Sequence, residues 1–142
     1  MRLPFSVSVI IIALSLLLPA GAKVWHGNLP QQQVYADQIR EFIPPGERVY
    51  MYPINSGYYY LTNRLPSSKY AYISHLVAGA MTRYPMFREQ ISEDLMRSPY
   101  IVVWKQHLKM QGELVNDLAA QSTSHRPMLL DTTQFTLYGP SQ

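Results

Sequence analysis

Residues 43–72, IPPGERVYMYPINSGYYYLTNRLPSSKYAY, hold seven of the eleven tyrosines in this chain. Pro44-Pro45-Gly46 predicts the end of a helix, because a residue before proline avoids the helical region and glycine permits a sharp turn. Residues 55–66 are rich in turn formers, with room for one short helical turn. Residues 68–74 alternate between apolar and polar side chains and predict a strand. The tyrosines are therefore either packing residues of a small sheet or part of a contact surface.

Residues 47–53 predict the first strand of this sheet. Val49 and Met51 alternate with Tyr50 and Tyr52, and this alternation places the two pairs on opposite faces of a strand. Because the whole segment is apolar or aromatic, we expect Tyr50 and Tyr52 to have structural roles.

The rest of the chain continues with alternating helical and extended patterns. Residues 85–97 begin with a proline suited to the first turn of a helix and carry apolar side chains at helical spacing. Residues 98–105 form a short β-branched and aromatic run, which predicts a strand buried on both faces. Residues 76–84 have no clear pattern. Further predictions are helices over 31–43 and 106–121, and an antiparallel strand pair over 126–131 and 134–140.

This order of elements predicts the fold class. We expect an α/β domain with a small mixed β-sheet and helices packed on it, preceded by one N-terminal hydrophobic helix. Helix 31–43 is predicted to bury Val34, Tyr35, Ile39, Phe42 and Ile43. Helix 106–121 is predicted to bury Met110, Leu114, Val115 and Leu118.

Residues 1–23 form the hydrophobic segment. Arg2 is followed by an uncharged run of about 20 residues, close to the length that spans a bilayer. A retained membrane anchor is one reading, and a signal peptide with a small-residue cleavage site at Ala20-Gly21-Ala22 is the other. Residues 24–33 are a polar linker, and residues 34–142 form the domain. Both readings place this domain outside the cytoplasm, in a periplasm or at a cell surface.

Catalytic and cofactor motifs are not found in the sequence. The chain has no cysteine, its four histidines are isolated from one another, and no nucleotide-binding or serine-hydrolase motif occurs. Glu89, Glu93 and Asp94 are assigned to the solvated side of helix 85–97, which argues against a tuned acid–base pair. A net charge of +3 is too small to indicate nucleic-acid binding. We therefore predict no metal, no cofactor and no catalysis by this chain alone.

Four short segments, in order, resemble a known group of domains. They are PGERVY at 45–50, YLTNRLP at 60–66, PYIVV at 99–103 and FTLY at 135–138. Together they resemble the carboxyl-terminal extracytoplasmic domain of GT-C glycosyltransferases, the membrane enzymes similar to dolichyl-phosphate-mannose-protein mannosyltransferases and lipid A aminoarabinose transferases. The resemblance covers nearly the whole chain, and the hydrophobic segment occupies the place of the last membrane helix.

The resemblance implies a role but no catalytic residue. Enzymes of that group use an acidic residue in their first extracytoplasmic loop and bind a polyprenyl-phosphate sugar among many membrane helices, and this chain has no such part. It would be a stand-alone or truncated soluble domain that contacts a membrane glycosyltransferase subunit or a glycan or lipid-phosphate acceptor. Aromatic rings stack on sugars and arginine pairs with phosphate. The candidate contact residues are Tyr58, Tyr59, Tyr60, Arg64, Lys69, Tyr70 and Tyr72.

Two alternatives remain open at this point. The chain is either such a glycosyltransferase domain or an independent exported binding module for an anionic envelope glycan or a protein partner. Each candidate tyrosine also has a plain structural interpretation, which is packing between helix and sheet. A basic segment supports binding, because residues 48–88 contain arginine and lysine but no aspartate or glutamate.

Overall fold

A computed structural model describes residues 29–53, 56–70 and 77–141 of the chain. The predicted hydrophobic segment and residues 24–28 of the predicted linker lie outside these residues. The linker prediction is wrong for residues 29–33, which belong to the first helix. The chain divides into two compact units, residues 1–34 and 35–142. Within the described residues, no helix has the length and apolar character needed to cross a bilayer.

The domain consists of helices packed on a five-stranded mixed sheet. In chain order, the elements are α1 (Leu29–Phe42), β1 (Arg48–Tyr52), α2 (Ser56–Thr62), β2 (Leu65–Pro66), α3 (Val77–Arg83), α4 (Pro85–Arg97), β3 (Tyr100–Trp104), α5 (Lys105–Gln111), α6 (Glu113–Thr123), β4 (Met128–Asp131) and β5 (Phe135–Tyr138). The strand order is β2-β1-β3-β5-β4. Strands β2, β1 and β3 are parallel, whereas β5 is antiparallel to both β3 and β4. The predicted α/β class, mixed sheet and antiparallel closing pair are confirmed.

The sheet separates two hydrophobic clusters, and β1 contributes to both. Val49 and Met51 pack in the cluster that contains side chains from α1 and α2. Tyr50 and Tyr52 pack in the cluster formed with α3, α4 and α6. The predicted alternation along residues 47–53 is therefore confirmed, and both tyrosines are fully buried. The Tyr52 hydroxyl donates a hydrogen bond to the Val115 carbonyl at 3.0 Å, which connects the sheet to α6.

The predicted second strand over 68–74 is wrong for residues 68–70. The second strand is β2, only two residues long, which pairs with β1 on the side opposite β3. Residues 68–70 instead form a turn in which the Tyr70 N–H donates to the Ser68 hydroxyl at 3.1 Å. This local side-chain bond competes with a sheet ladder for the backbone. Residues 71–74 lie outside the described residues.

The predicted single helix over 106–121 is two helices, α5 and α6. Gly112 separates them with φ +86° and ψ 177°, a conformation that residues with a Cβ rarely adopt. The break changes the helical phase, so Met110 is exposed, whereas Val115 and Leu118 are buried as predicted.

The buried face of α1 also differs from the prediction. Ala36, Ile39 and Ile43 are fully buried, whereas Val34 and Phe42 are exposed. Ala36 packs in the same cluster as Val49 and Met51 of β1, and ranking residues by hydrophobic size overlooks such a position.

Arg126 joins the ends of α4 and α6 across one face of the sheet. Its guanidinium is buried and makes five hydrogen bonds of 2.9–3.3 Å to backbone carbonyl oxygens. Desolvation by burial lowers the pKa of Arg126. Helix ends leave carbonyls without intrahelical partners, and a cation there also interacts favourably with the helix dipole. The acceptors are the carbonyls of Leu95, Met96, Pro99, Ser122 and Gly139.

Replacing Arg126 by methionine tests this bridge. The variant keeps much of the side-chain volume but leaves several buried carbonyls unpaired, so we expect the free energy of unfolding to fall by about 3 kcal/mol or more. Arg97→Met is the matched control, because Arg97 lies in an exposed pair 3.5 Å from Glu93. Such a pair contributes about 0.3–0.5 kcal/mol. Urea unfolding followed by tryptophan fluorescence measures both, and similar losses would contradict the bridge.

Replacement by alanine should change the free energy of unfolding in opposite directions at Gly112 and Gly79. A Cβ at either position meets no atom within 4 Å, so steric contacts do not contribute to either change. Gly112→Ala forces alanine into a region open mainly to glycine, and we expect a loss of about 1–3 kcal/mol in unfolding free energy. Gly79 lies inside α3, where alanine is favoured over glycine by about 0.5–1 kcal/mol. Urea titrations of both variants should show midpoints displaced in opposite directions; a destabilising Gly79→Ala would refute the helical assignment there.

Candidate functional site

The structure separates the predicted contact residues into buried and exposed groups. Tyr58, Tyr59 and Arg64 are buried in the domain. Tyr60 and Lys69 are exposed, and Tyr70 is half-buried. Tyr72 lies outside the described residues. The seven candidates therefore do not form one continuous surface.

Tyr58 belongs to an aromatic cluster under α2. Its ring centre lies 4.1 Å from that of Trp104, and the Trp104 ring lies 5.1 Å from Phe135. Burial raises the pKa of the Tyr58 hydroxyl to about 12. Such packing between helix and sheet is the structural alternative considered for the tyrosines, and it accounts for Tyr58.

Tyr59 completes the hydrogen bonding at the edge of β1. Its hydroxyl accepts a hydrogen bond from the Met51 N–H at 2.9 Å, beyond the short register in which β2 pairs with Arg48 and Val49. A strand edge that continues past its neighbour leaves backbone groups that need a partner when buried. The Tyr59 side chain supplies this partner. The edge of β1 therefore has its hydrogen bond satisfied at Met51 although β2 does not extend that far.

Arg64 joins the ends of α1 and α2, on the face of the sheet opposite Arg126. It is only 8% exposed. Its guanidinium donates to the Ile43 carbonyl at 2.6 and 2.9 Å and to three further carbonyls at 3.2–3.4 Å. A phosphate could pair with this side chain only by displacing these bonds. The further acceptors are Arg40, Thr62 and Asn63.

Tyr60 is the candidate most open to solvent. It is 86% exposed on α2, between the buried Tyr59 and the partly buried Leu61. An isolated exposed tyrosine is common on protein surfaces and does not by itself indicate a site.

Lys69 and Tyr70 meet the corner between α3 and α4 in an open cleft of about 420 Å³. The Tyr70 ring packs edge-on against Phe87 at 4.7 Å, and the Lys69 ammonium lies 5.0 Å from the Tyr70 ring centre. Two predicted candidates therefore share one cavity with a largely aromatic and aliphatic wall and a cation at its rim. The lining residues are Lys69, Tyr70, Tyr84, Pro85, Met86, Phe87 and Gln90.

A buried polar group lies next to this cleft. Gln90 lines the cleft and donates a hydrogen bond to Asp94 Oδ1 at 3.0 Å. The other carboxylate oxygen of Asp94 and the Tyr50 hydroxyl are buried without a hydrogen-bond partner among the described residues. Desolvation raises the pKa of Tyr50, and the nearby Asp94 charge adds to the rise, while the Ser68 hydroxyl opposes it. Asp94 is thus less solvated than predicted, because one carboxylate oxygen accepts the hydrogen bond from Gln90 and the other is buried.

The cleft offers aromatic and aliphatic surface beside one lysine. Within the described ranges, no three histidine, aspartate or glutamate side chains are grouped to hold a metal ion. An aromatic wall suits an apolar surface or a sugar face, and a rim lysine suits an anion.

No family model, curated protein or solved structure matches this chain. What the cleft binds is therefore inferred from the residues that line it and from the resemblance carried by the sequence.

Sequence patterns did not reveal the α3–α4 wall of the cleft. Residues 76–84 show no clear pattern in sequence, and the spacing around Phe87 predicts only one face of a helix. The available signal was Tyr84-Pro85-Met86, an apolar group at a helix start where exposed polar residues are common. This group lines the same cleft as Lys69 and Tyr70 because of the turn after β2, which local patterns do not predict.

Tyr59→Phe tests the role of the buried hydroxyl. Removing it leaves the Met51 N–H buried without its acceptor, so we expect a loss of about 1–3 kcal/mol in unfolding free energy. Tyr60→Phe removes the same atom one residue later on an exposed side chain and should change stability by less than about 0.5 kcal/mol. Equal effects of the two variants in chemical denaturation would rule out a structural hydroxyl at Tyr59.

Proposed function

We propose that this chain is a stand-alone or truncated extracytoplasmic domain of the GT-C glycosyltransferase type. In this proposal it is not catalytic by itself. It contacts a membrane glycosyltransferase subunit, and its Lys69–Tyr70 cleft meets the glycan or lipid-phosphate acceptor of that enzyme. The observation that carries the proposal is the order of four motif segments along the chain, each of which forms a defined part of the fold.

The motif residues have structural roles that support a shared fold. Gly46 turns the chain after α1 with φ +87°. The Thr62 hydroxyl donates to the Tyr58 carbonyl at 2.6 Å, and Asn63 takes a left-handed conformation with φ +50°. Arg64 then binds the carbonyls at the ends of α1 and α2. Since YLTNR builds a helix end, a similar segment in another chain favours the same local structure there.

The chemistry of the cleft supports an acceptor rather than a donor role. Tyr70 and Phe87 provide aromatic surface, and Lys69 provides one exposed cation at the rim. A sugar with an apolar face, or a phosphate next to a lipid, offers the complementary groups. Such a site can hold and orient an acceptor, but it contains no group poised to activate a donor.

The alternative is an independent exported binding module. In this case the Lys69–Tyr70 cleft binds an anionic envelope glycan or a protein partner without a membrane enzyme. Amino-terminal sequencing of the protein from its native envelope distinguishes the two. Cleavage after Ala22 supports the independent module, whereas a retained hydrophobic segment supports the membrane-enzyme domain.

The proposal predicts that the coding region lies beside a gene for a membrane glycosyltransferase without this domain. Co-expression of the two full-length chains should then allow them to be purified together, and the pair should transfer sugar whereas this chain alone should not.

Lys69→Glu with Tyr70→Ala should weaken acceptor use by about tenfold, the loss expected for one cation and one aromatic contact.

Lys109→Glu is the matched control for the charge reversal, because Lys109 is exposed on α5. It should leave acceptor use unchanged. A chain encoded without such a neighbour, or a pair that fails to associate, would count against the membrane-enzyme proposal.

A further inference from the structure

The corner between α3 and α4 presents an apolar tip to solvent. Tyr84 is 57% exposed and Met86 is 81% exposed, with Pro85 exposed between them. The hydrophobic clusters around the sheet take in Phe87 beside the tip but neither Tyr84 nor Met86. Burial in the core therefore does not explain why tyrosine and methionine occupy these two positions.

The backbone of this tip is firmly held. The Tyr84 N–H donates to the Ala80 carbonyl at 2.8 Å and closes α3, while the Tyr84 carbonyl accepts from the Phe87 N–H at 3.0 Å and begins α4. Pro85 occupies the first turn of α4 and restricts the backbone further. A rigid tip loses little conformational entropy when it enters another phase.

The surroundings of the tip are positively charged. Arg83, Arg88 and Lys69 are exposed, and Lys69 lines the same cleft as Tyr84 and Met86. Residues 48–88 contain no acid, and the first turn of α4 contains none. The first acid after the tip is Glu89, which lines the neighbouring groove between α4 and α6 together with Glu93 and with Pro85 and Arg88 of the tip. The tip thus combines two apolar side chains with three cations.

We propose that this tip, residues 83–88 together with Lys69, rests on an anionic membrane surface. Tyr84 and Met86 enter the headgroup region, and the three cations meet lipid phosphates. Tyrosine suits this position because its ring is apolar and its hydroxyl remains hydrated. Basic side chains near an anionic leaflet are attracted by its surface potential.

The small size of the tip favours lipid over a protein partner. A stable protein interface buries about 800 Å² on each side. Tyr84 and Met86, the two exposed apolar side chains of the tip, cannot supply such an area by themselves. They do match peripheral membrane contacts, which combine a few inserted side chains with electrostatic attraction.

The proposed contact also gives the cleft an orientation. Tyr84 and Met86 form one lip of the cleft, so their insertion would turn its opening toward the headgroups. A lipid-linked ligand could then reach Lys69 and Tyr70 from the bilayer. The inference rests on the membrane-proximal location in the proposed function, and it does not depend on a partner enzyme.

Single-cysteine labelling tests the contact directly, because the chain has no native cysteine. Met86→Cys in the full-length chain is labelled with a small fluorophore and reconstituted into phosphatidylcholine vesicles with or without phosphatidylglycerol. Met110→Cys is the matched control, since both methionines are 81% exposed. Nitroxide-bearing lipids then report contact with the bilayer, and acrylamide reports contact with water.

We expect lipid nitroxides to quench the label at position 86 several-fold more than the label at position 110, and only with phosphatidylglycerol present. Arg83→Gln with Arg88→Gln should abolish this difference, whereas the exposed control Arg97→Gln should not. Equal lipid quenching at both positions would overturn the inference. Protection of position 86 from acrylamide without lipid quenching would also overturn it, by showing a protein contact there. Because no enzyme subunit is present, neither result bears on association with a glycosyltransferase.

Discussion

Two buried guanidinium groups join the helix ends on the two faces of the sheet. Arg64 binds carbonyls at the ends of α1 and α2 on one face, and Arg126 binds those of α4 and α6 on the other. The negative ends of two helices converge on each cation, and the hydrogen bonds described for both arginines go to backbone carbonyls. This arrangement satisfies acceptors that helix ends leave unpaired and provides negative potential around each buried charge. The layering of the fold depends on these two bridges.

This constraint divides the cations of the basic segment into two groups. Arg64 is fully engaged by backbone carbonyls, and Arg48 donates to the Pro66 carbonyl at 3.1 Å beside β2. Lys69 is exposed at the cleft, and Arg83 and Arg88 are exposed on the neighbouring corner between α3 and α4. The basic segment of the sequence therefore contains two kinds of cation. The first, Arg48 and Arg64, bind backbone carbonyls, and the second, Lys69, Arg83 and Arg88, are exposed and available to an anion. Only the second group is relevant to binding.

Local patterns predicted the elements whose burial follows from alternation or helical spacing. Strand β3, helix α4 and the two faces of β1 agree with the structure because their apolar side chains report directly which side is buried. Tyr59, Arg64 and Arg126 could not be assigned this way, because each acts on a backbone group distant in sequence. Arg64 binds a carbonyl 21 positions away in sequence, and Arg126 binds one 31 positions away. Such distant pairs leave no local pattern in the sequence. The cleft was missed for the same reason, since it forms where two separate turns meet.

The residues that carry the resemblance to GT-C domains have structural roles, so the resemblance bears on the fold and not on the ligand. PGERVY and YLTNR end α1, form β1 and cap α2, so a chain that builds this corner needs similar residues whatever it binds. Their presence favours a common fold and does not specify a ligand. In the proposed function, recognition of the acceptor therefore depends on residues outside the motifs, namely Lys69, Tyr70 and Phe87 of the cleft. A chain with the same motifs but an acidic or filled cleft would share the fold and, in this proposal, would not bind the acceptor. Fold and ligand recognition therefore depend on different residues.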